Sequence, residues 1–398
     1  MTPAEYWVLG LMSGSSLDGL DMALCRFQLA AASQPQIEEW EIVAATTREF
    51  PKPWQARLRI ATHLPAAEFW RLHVDLGRYF GQLARQFLDQ QSQKAQLVGS
   101  HGHTIFHRPD QRYTCQIGDG AALAAELGLP VVDQLRSSDL AQGGQGAPIA
   151  PLADRYLFPE YGAFLNLGGI ANISIRTSAG PTPPLEAEDL RKYKNSNQFL
   201  AGDVSGANQI LNKLAVAAGS LLPYDDGGRL AASGHLLPDL LETLVAVEYH
   251  QQTYPKSLAN AWVQETLWPV VEQAEGTAVD KLHTFCRFLA QLIHDDLRRL
   301  AEQAKLPPQP IQVMISGGGG HNRFVVECLR SLEQDDRYPL GYALPALNII
   351  NFKEAALVAL SALWRKLGIP NAFASVTGAN QDTINGALYL PAPSYKIS

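Results

Sequence analysis

The sequence predicts an α/β protein of two domains, or of one domain used twice, on three observations. At 398 residues the chain exceeds the ~100–200 residues that one hydrophobic core usually organises. An apolar run, a glycine turn and a second apolar run occur twice, as "WVLGLMSGSSLDGLDMAL" (Trp7 to Leu24) and "AFLNLGGIANISI" (Ala163 to Ile175). Strand-like segments alternate with amphipathic helical ones through the remainder. With 46% hydrophobic and 18% charged residues, the chain can bury large cores and is neither fibrous nor disordered in composition. A net charge of -7 gives no general attraction to nucleic acid or anionic lipid, so neither is an expected partner. Cys25, Cys115, Cys286 and Cys328 lie far apart without C-x-x-C spacing, which suggests no zinc site, no disulfide framework and a reducing cytoplasmic setting. No export signal and no run approaching ~20 apolar residues is evident.

The elements follow in order. After the first turn, Leu20, Met22, Leu24 and Arg26 alternate with Asp21, Ala23, Cys25 and Phe27, a period of two that makes the first element a β-hairpin. From Ala66 to Gln90, Phe69, Leu72, Leu76, Phe80, Leu83 and Phe87 recur every three or four residues, which marks a long helix with one buried face. "AQLVGS" reads as a short strand running into the polar loop "HGHTIFHRP". In "DGAALAAELGLPVV", Asp119 starts a short helix, Gly128 ends it, and Pro130 precedes a strand. The second hairpin follows, and then Thr177 to Asn197, rich in proline, glycine and charge, reads as an excursion from the core. "FLAGDVSGANQILNKLAVAAG" predicts a short strand ending in Asp203 and a helix from about Asn208. A helix from about Val279 to Ala304 leads to "IQVMISGGGGHNRFVVECLRSL", read as strand, four-glycine turn and helix. The last strong helix is "KEAALVALSALWRKLG", opened near Glu354 and stopped by Gly368 and Pro370.

Glycine and hydroxyl turns after strands carry chemistry because missing Cβ atoms let backbone N–H groups converge on an anion. A single such turn is more often a bare hairpin; three in one chain favour a nucleotide. "MSGSSLDG" is no Walker A loop, since no lysine follows the glycine and a strand comes next. Asp18 and Asp21 would repel phosphate unless a divalent cation intervened, which points to Mg²⁺ with a nucleotide, although aspartates are also ordinary turn formers. "SGGGGHN" (Ser316 to Asn322) stands between strand and helix, where backbone can approach a ring or a phosphate. His101, His103 and His107 form H-x-H-x₃-H with no local carboxylate or cysteine to complete a metal site.

The blocks "GLMSGSSLDGLDMAL", "SHGHTIFHRP", "QIGDGAALAAELGLPVV", "RSSDLAQGGQGAP", "LNLGGIANIS", "YDDGGRLAASG", "ISGGGGHN" and "VTGANQDTINGALYLP" together resemble, in order and over nearly the whole chain, the anhydro-N-acetylmuramic acid kinases. The resemblance implies the sugar kinase, Hsp70 and actin superfamily: two ribonuclease-H-like domains with ATP in the cleft between them. Domain I is then 1–158 plus about 372–398, and domain II 159–371. It implies phosphate contacts from Gly14, Ser15, Ser16, Leu17, Asp18, Gly19, Leu20 and Asp21, and from Gly168, Gly169 and Asn172. Gly317, Gly318, Gly319 and Asn322 are implied to hold adenosine. Gly102, His103, Thr104, Arg136, Asp139 and Asn208 are implied for the amino sugar, Arg136 facing its lactyl carboxylate; read alone, Arg136 and Asp139 could equally be a surface ion pair.

The implied reaction uses ATP and Mg²⁺. Water opens the 1,6-anhydro ring while O6 is phosphorylated to N-acetylmuramic acid 6-phosphate, with Asp203 taking the proton from the water. A homodimer is implied by the family as well. The chain departs from the family pattern at four places. Asp-Thr-Gly-Pro-Gly-Asn becomes "DVSGAN" from Asp203 to Asn208, and Pro-Lys-Ser-Thr-Gly-Arg-Glu becomes "PKSLANAW" from Pro255. Gln134 replaces an aspartate now displaced to Asp133, and His103 stands where glutamine is usual. These changes collect near the sugar and leave room for a kinase of another sugar, or for a nucleotide-binding regulator without turnover.

Overall fold

The computed structural model describes residues 4–14, 17, 19–30, 36–177, 199–332 and 337–392. Ser15, Ser16, Asp18 and the Thr177 to Asn197 excursion beyond its first residue lie outside them. The described residues divide into two units, one up to Phe158 and from Phe352 onward, the other from Pro159 to Asn351.

In the first unit β1 (Ala4–Ser13), β2 (Gly19–Leu29) and β3 (Ile37–Glu49) pair antiparallel in succession. On the other side of β1 lie β4 (Leu97–Arg108) and then β6 (Val131–Asp133), both parallel. β5 (Tyr113–Ile117) folds back on β4, and a late strand, β12 (Ala387–Tyr389), closes the β6 edge. The second unit repeats the plan. β7 (Ala163–Leu167), β8 (Ile170–Arg176) and β9 (Phe199–Gly206) are antiparallel, and β10 (Ile311–Ser316) and β11 (Leu340–Ala343) follow parallel to β7. Three antiparallel strands followed by two parallel ones, in the order 3-2-1-4-5, is the ribonuclease-H-like sheet, here present in each unit.

One face of the first sheet is covered by the helix Ala66–Leu88, which buries Leu72, Leu76, Phe80, Ala84 and Phe87 as its periodicity predicts. The long helix Leu347–Leu367 covers the other face. Gly10 and Gly99 admit it: a Cβ at either would collide with the carbonyl oxygens of Ala355 and Val358. This helix is long and apolar enough to cross a bilayer, but 67% of its most apolar window is buried in the fold, as in the core helix of a soluble protein. It starts at Leu347, so Glu354 stands in its interior rather than at its mouth. Because Ala355 to Trp364 are buried, the chain rejoins the first unit at Phe352, not near 372. In the second unit the helices Asn208–Ala217, Ala278–Gln303 and Arg323–Arg330 pack with β7 to β10 around a separate core.

Two further segments differ from expectation. "HGHTIFHRP" is not a loop: β4 continues through it to Arg108, paired with β5, and bends at Gly102, whose φ is +73°. Likewise β9 does not stop at Asp203 but runs to Gly206, because Val204 and Ser205 are fully buried.

Candidate active site

Asp203 sits in the interior of β9, half-buried, in register with Asn172 of β8. Its backbone is held at both ends: its N–H donates to the Lys256 carbonyl at 2.9 Å, and its own carbonyl accepts from the Tyr249 hydroxyl at 2.9 Å. The carboxylate is held on one side only. Oδ2 accepts from the Leu258 N–H at 2.8 Å and from the Ser257 hydroxyl at 3.1 Å; among the described residues, no donor reaches Oδ1. A carboxylate so oriented, with one oxygen fixed and one open, can accept a proton from a bound molecule. Gly202 permits this approach, since a Cβ there would lie 2.6 Å from the Lys256 carbonyl oxygen.

The glycine turn of the same unit lies beside the end of β7. Gly317 has φ +82°, and a Cβ on it would strike the side-chain oxygen of Asn166 and the backbone of Leu167. A Cβ on Gly319 would lie 2.7 Å from that of Leu167. The Asn322 side chain caps the next helix, accepting from Val325 N–H at 3.2 Å. A cavity of about 480 Å³ is lined here by Gly318, Gly319, Asn322, Asn208, Tyr224 and Asp225, among others, a size suited to a small-molecule ligand. Asp225 keeps its wall in shape, its two oxygens accepting from Leu230 and Ala231 N–H at 3.0 and 2.9 Å. Asn208, expected beside the sugar, lines this cavity and donates to the Leu167 carbonyl at 2.9 Å. The Gly168 and Gly169 carbonyls accept from Asn208, Ala207 and Gln209 N–H, which ties the second hairpin turn to the start of the helix Asn208–Ala217.

In the first unit, Gly14 and Leu17 form the described part of the hairpin turn, with Leu17 at φ +62°. Gly19 and Leu20 open β2, paired with Glu49 and Arg48, and the Leu20 side chain is wholly in the core. Asp21 also lies in β2, its Oδ1 accepting from the Thr47 hydroxyl at 2.5 Å. His103 Nδ1 and the Ser13 hydroxyl are 3.0 Å apart and buried, joining the β4 bend to the foot of the turn. Thr104 accepts from Gln116 at 3.3 Å.

Arg136 donates through Nε to His101 Nε2 at 2.9 Å and through Nη1 to the Gly146 carbonyl at 2.8 Å. Burial, reinforced by this guanidinium, pushes the His101 imidazole down to about 3, so the ring is neutral, and with Nδ1 donating to the Gly102 carbonyl at 3.2 Å, Nε2 accepts. Asp139 is not a surface partner of Arg136. It is 0% exposed, Oδ2 accepting from Gly146 N–H at 2.7 Å and Oδ1 from the Thr377 hydroxyl at 2.7 Å. With a donor on each oxygen it shapes the glycine loop. Asp133 also turns inward: its Oδ2 accepts from Gly120 N–H at 3.0 Å, and burial pushes its carboxyl up to about 7. His101, His103 and His107 do not converge, and among the described residues no group of three His, Cys, Asp or Glu could hold a metal.

Residues 6–391 match the family model described as anhydro-N-acetylmuramic acid kinase. The chain belongs to this family. It is 31% identical to the anhydro-N-acetylmuramic acid kinase of Synechococcus sp. strain WH7803, over 97% of this chain and 100% of that one. It is 32% identical to that of Synechococcus elongatus, over 96% and 99%. Among solved structures, "Activator of the 2-Hydroxyisocaproyl-CoA Dehydratase from Clostridium difficile with bound ADPNP" is similar at 13% identity and a TM-score of 0.36, over 89% of this chain and 94% of that one, a likeness too slight to support any statement. Within the anhydro-N-acetylmuramic acid kinase pattern, the reduced block "PKSLANAW" keeps Lys256 and Ser257, which touch Asp203, and loses residues beyond them. Reasoning from sequence missed Tyr249, Leu258, Thr377 and Asn385. Their bonds to Asp203 and Asp139 span 46 to 246 positions, and no local pattern announces such pairings.

Proposed function

We propose that the protein is an ATP-dependent anhydro-N-acetylmuramic acid kinase that opens the 1,6-anhydro ring of its sugar and phosphorylates O6. The product is N-acetylmuramic acid 6-phosphate, in the recovery of cell-wall amino sugars. The observation that carries the reading is Asp203: in a chain that matches the family over residues 6–391, the one carboxylate at the family's catalytic position is oriented through Oδ2 and open at Oδ1.

Oδ1 takes a proton from water as that water attacks the anomeric carbon. The C1–O6 bond breaks, and O6 attacks the γ-phosphorus in line with the departing ADP. Tyr249 and Lys256 fix the strand position from which Oδ1 acts. The Gly317 to Asn322 cavity takes the adenosine, and the hairpin turns at Gly14 and at Gly168 and Gly169, with Asn172, take the phosphates. Arg136, with Nε and Nη1 engaged, turns Nη2 toward the lactyl carboxylate, beside Gly102, His103 and Thr104. Mg²⁺ fits this set because such an ion is held chiefly by phosphate oxygens and water with one or two carboxylates, and Asp21 offers one beside the first turn. When bound, such an ion would supply charge neutralisation for the transferring phosphate. Mass spectrometry after incubation with 1,6-anhydro-N-acetylmuramic acid and ATP in ¹⁸O-water tests this. A product heavier than the sugar by one phosphate and one labelled water is expected; phosphorylation without uptake of water rejects the mechanism.

A further inference from the structure

The chemistry above uses the Lys256 carbonyl but leaves its buried ammonium without a role. Its side chain is 2% exposed, its ammonium 3.2 Å from Oδ2 of Asp296, itself 0% exposed. The Tyr254 hydroxyl donates to the same oxygen at 2.7 Å, and Arg299 lies 3.0 Å from the other. The rest of the ammonium faces the rings of Tyr249 and Tyr254, at 4.9 and 4.8 Å from their centres. Burial pulls the amine below its ordinary range, and Asp296 opposes that.

A buried ion pair is a poor device for stability, because desolvation consumes most of the attraction and an apolar pair of similar size does as well. What it supplies is position. Asp296 belongs to the central helix Ala278–Gln303, and Lys256 belongs to an irregular segment whose neighbouring residues are exposed. The pair therefore pins that segment to the longest helix of its unit, most of whose apolar residues are buried. The pinned stretch touches Asp203 three times: through the Lys256 carbonyl, the Ser257 hydroxyl and the Leu258 N–H.

We infer that the Lys256–Asp296 pair is a positioning device for the catalytic base, holding the Ser257 and Leu258 donors on Oδ2 so that Oδ1 points at the attacking water. The inference rests on the reading of Asp203 as that base. The Lys256 ammonium makes no bond to Asp203 itself; it acts through its own carbonyl and the two residues that follow it.

The test is steady-state kinetics of the full chain with 1,6-anhydro-N-acetylmuramic acid and MgATP, for Lys256→Met, Ser257→Ala and the double variant, each with a thermal melt. Lys256→Met lowers kcat by about tenfold to hundredfold with KM for ATP within about twofold, the size of effect that a misplaced catalytic group produces. Ser257→Ala lowers kcat by about threefold to tenfold, and the double variant stays within about twofold of Lys256→Met, because releasing the segment already removes the serine donor. Wild-type kcat in Lys256→Met overturns the inference, as do losses that multiply in the double variant or a rise in KM in place of a fall in kcat. If Lys256→Met does not fold, Ser257→Ala and Gly202→Ala decide, and wild-type kcat in both rejects it. Asp203→Asn, run alongside, separates the two levels: turnover retained there removes the base itself, whatever Lys256 does.

Discussion

Asp139 and Asp203 stand in units with the same strand order, each in a stretch rich in glycine, yet they are used in opposite ways. Asp139 meets donors on both oxygens, from Gly146 and Thr377, and is sealed from solvent. Asp203 meets donors on one oxygen and keeps the other open. A carboxylate enclosed on both sides stabilises the fold, and one enclosed on a single side is available for chemistry. The difference lies in how many distant donors converge, not in the flanking residues.

The sharpest way to break this contrast is Asp203→Asn, which lowers kcat by about 10³-fold, within the range that removal of a general base produces. ATP binding by calorimetry and the melting temperature stay as in the parent. A second Asp203→Asn outcome, loss of folding with loss of activity, would make the two aspartates alike. Asp139→Ala acts in the other direction. It strands the Gly146 N–H and the Thr377 hydroxyl and costs about 3 kcal/mol in urea unfolding, with activity per folded molecule falling far less than in Asp203→Asn.

Gly317→Ala is the next largest effect: strain at φ +82° and the clash with Asn166 and Leu167 raise KM for ATP about tenfold while kcat changes little. If KM for the sugar rises instead, the glycine turn serves the other substrate. The smallest effect is one of pH. His101 is held far below its ordinary 6.5, at about 3, and His250, beside Ser205, at about 4. For a group whose folded value is depressed, the associated stability is complete above 6.5 and is lost as pH falls toward the folded value. Acid unfolding of the parent therefore steepens below pH 6.5, and His101→Gln, which can still accept from Arg136, shows a flatter acid limb.

Much of this architecture is legible in the sequence. The helix expected over Ala66 to Gln90 is Ala66–Leu88. Asp119 caps its helix by accepting from Ala122 N–H at 2.6 Å, and Gly128 ends it at φ +68°. These are local effects of side-chain period, cap and glycine, which neighbouring residues decide. The long strand Ile37–Glu49 has no such signature, because Ile42 is its single buried residue and its place is set by pairing with β2. The length of β4 is hidden by its polar residues, which read as a loop but from His103 onward pair with β5. At the site, the proposed catalytic base is legible only because Asp203 and Asn208 keep a recognisable spacing. The roles of Lys256, Thr377 and Asn385 depend on contacts that only the folded chain makes.

The late strand β12, the Thr377 hydroxyl that donates to Asp139 and the Asn385 side chain that accepts from the Asp139 N–H complete the first unit from the far end of the chain. During synthesis, the second unit can therefore mature while the first still waits for its closing piece. A nascent chain halted near residue 350 carries a finished half and an unfinished one with an open edge at β6, so protease resistance should be acquired in the reverse of the order in which the halves begin to emerge from the ribosome.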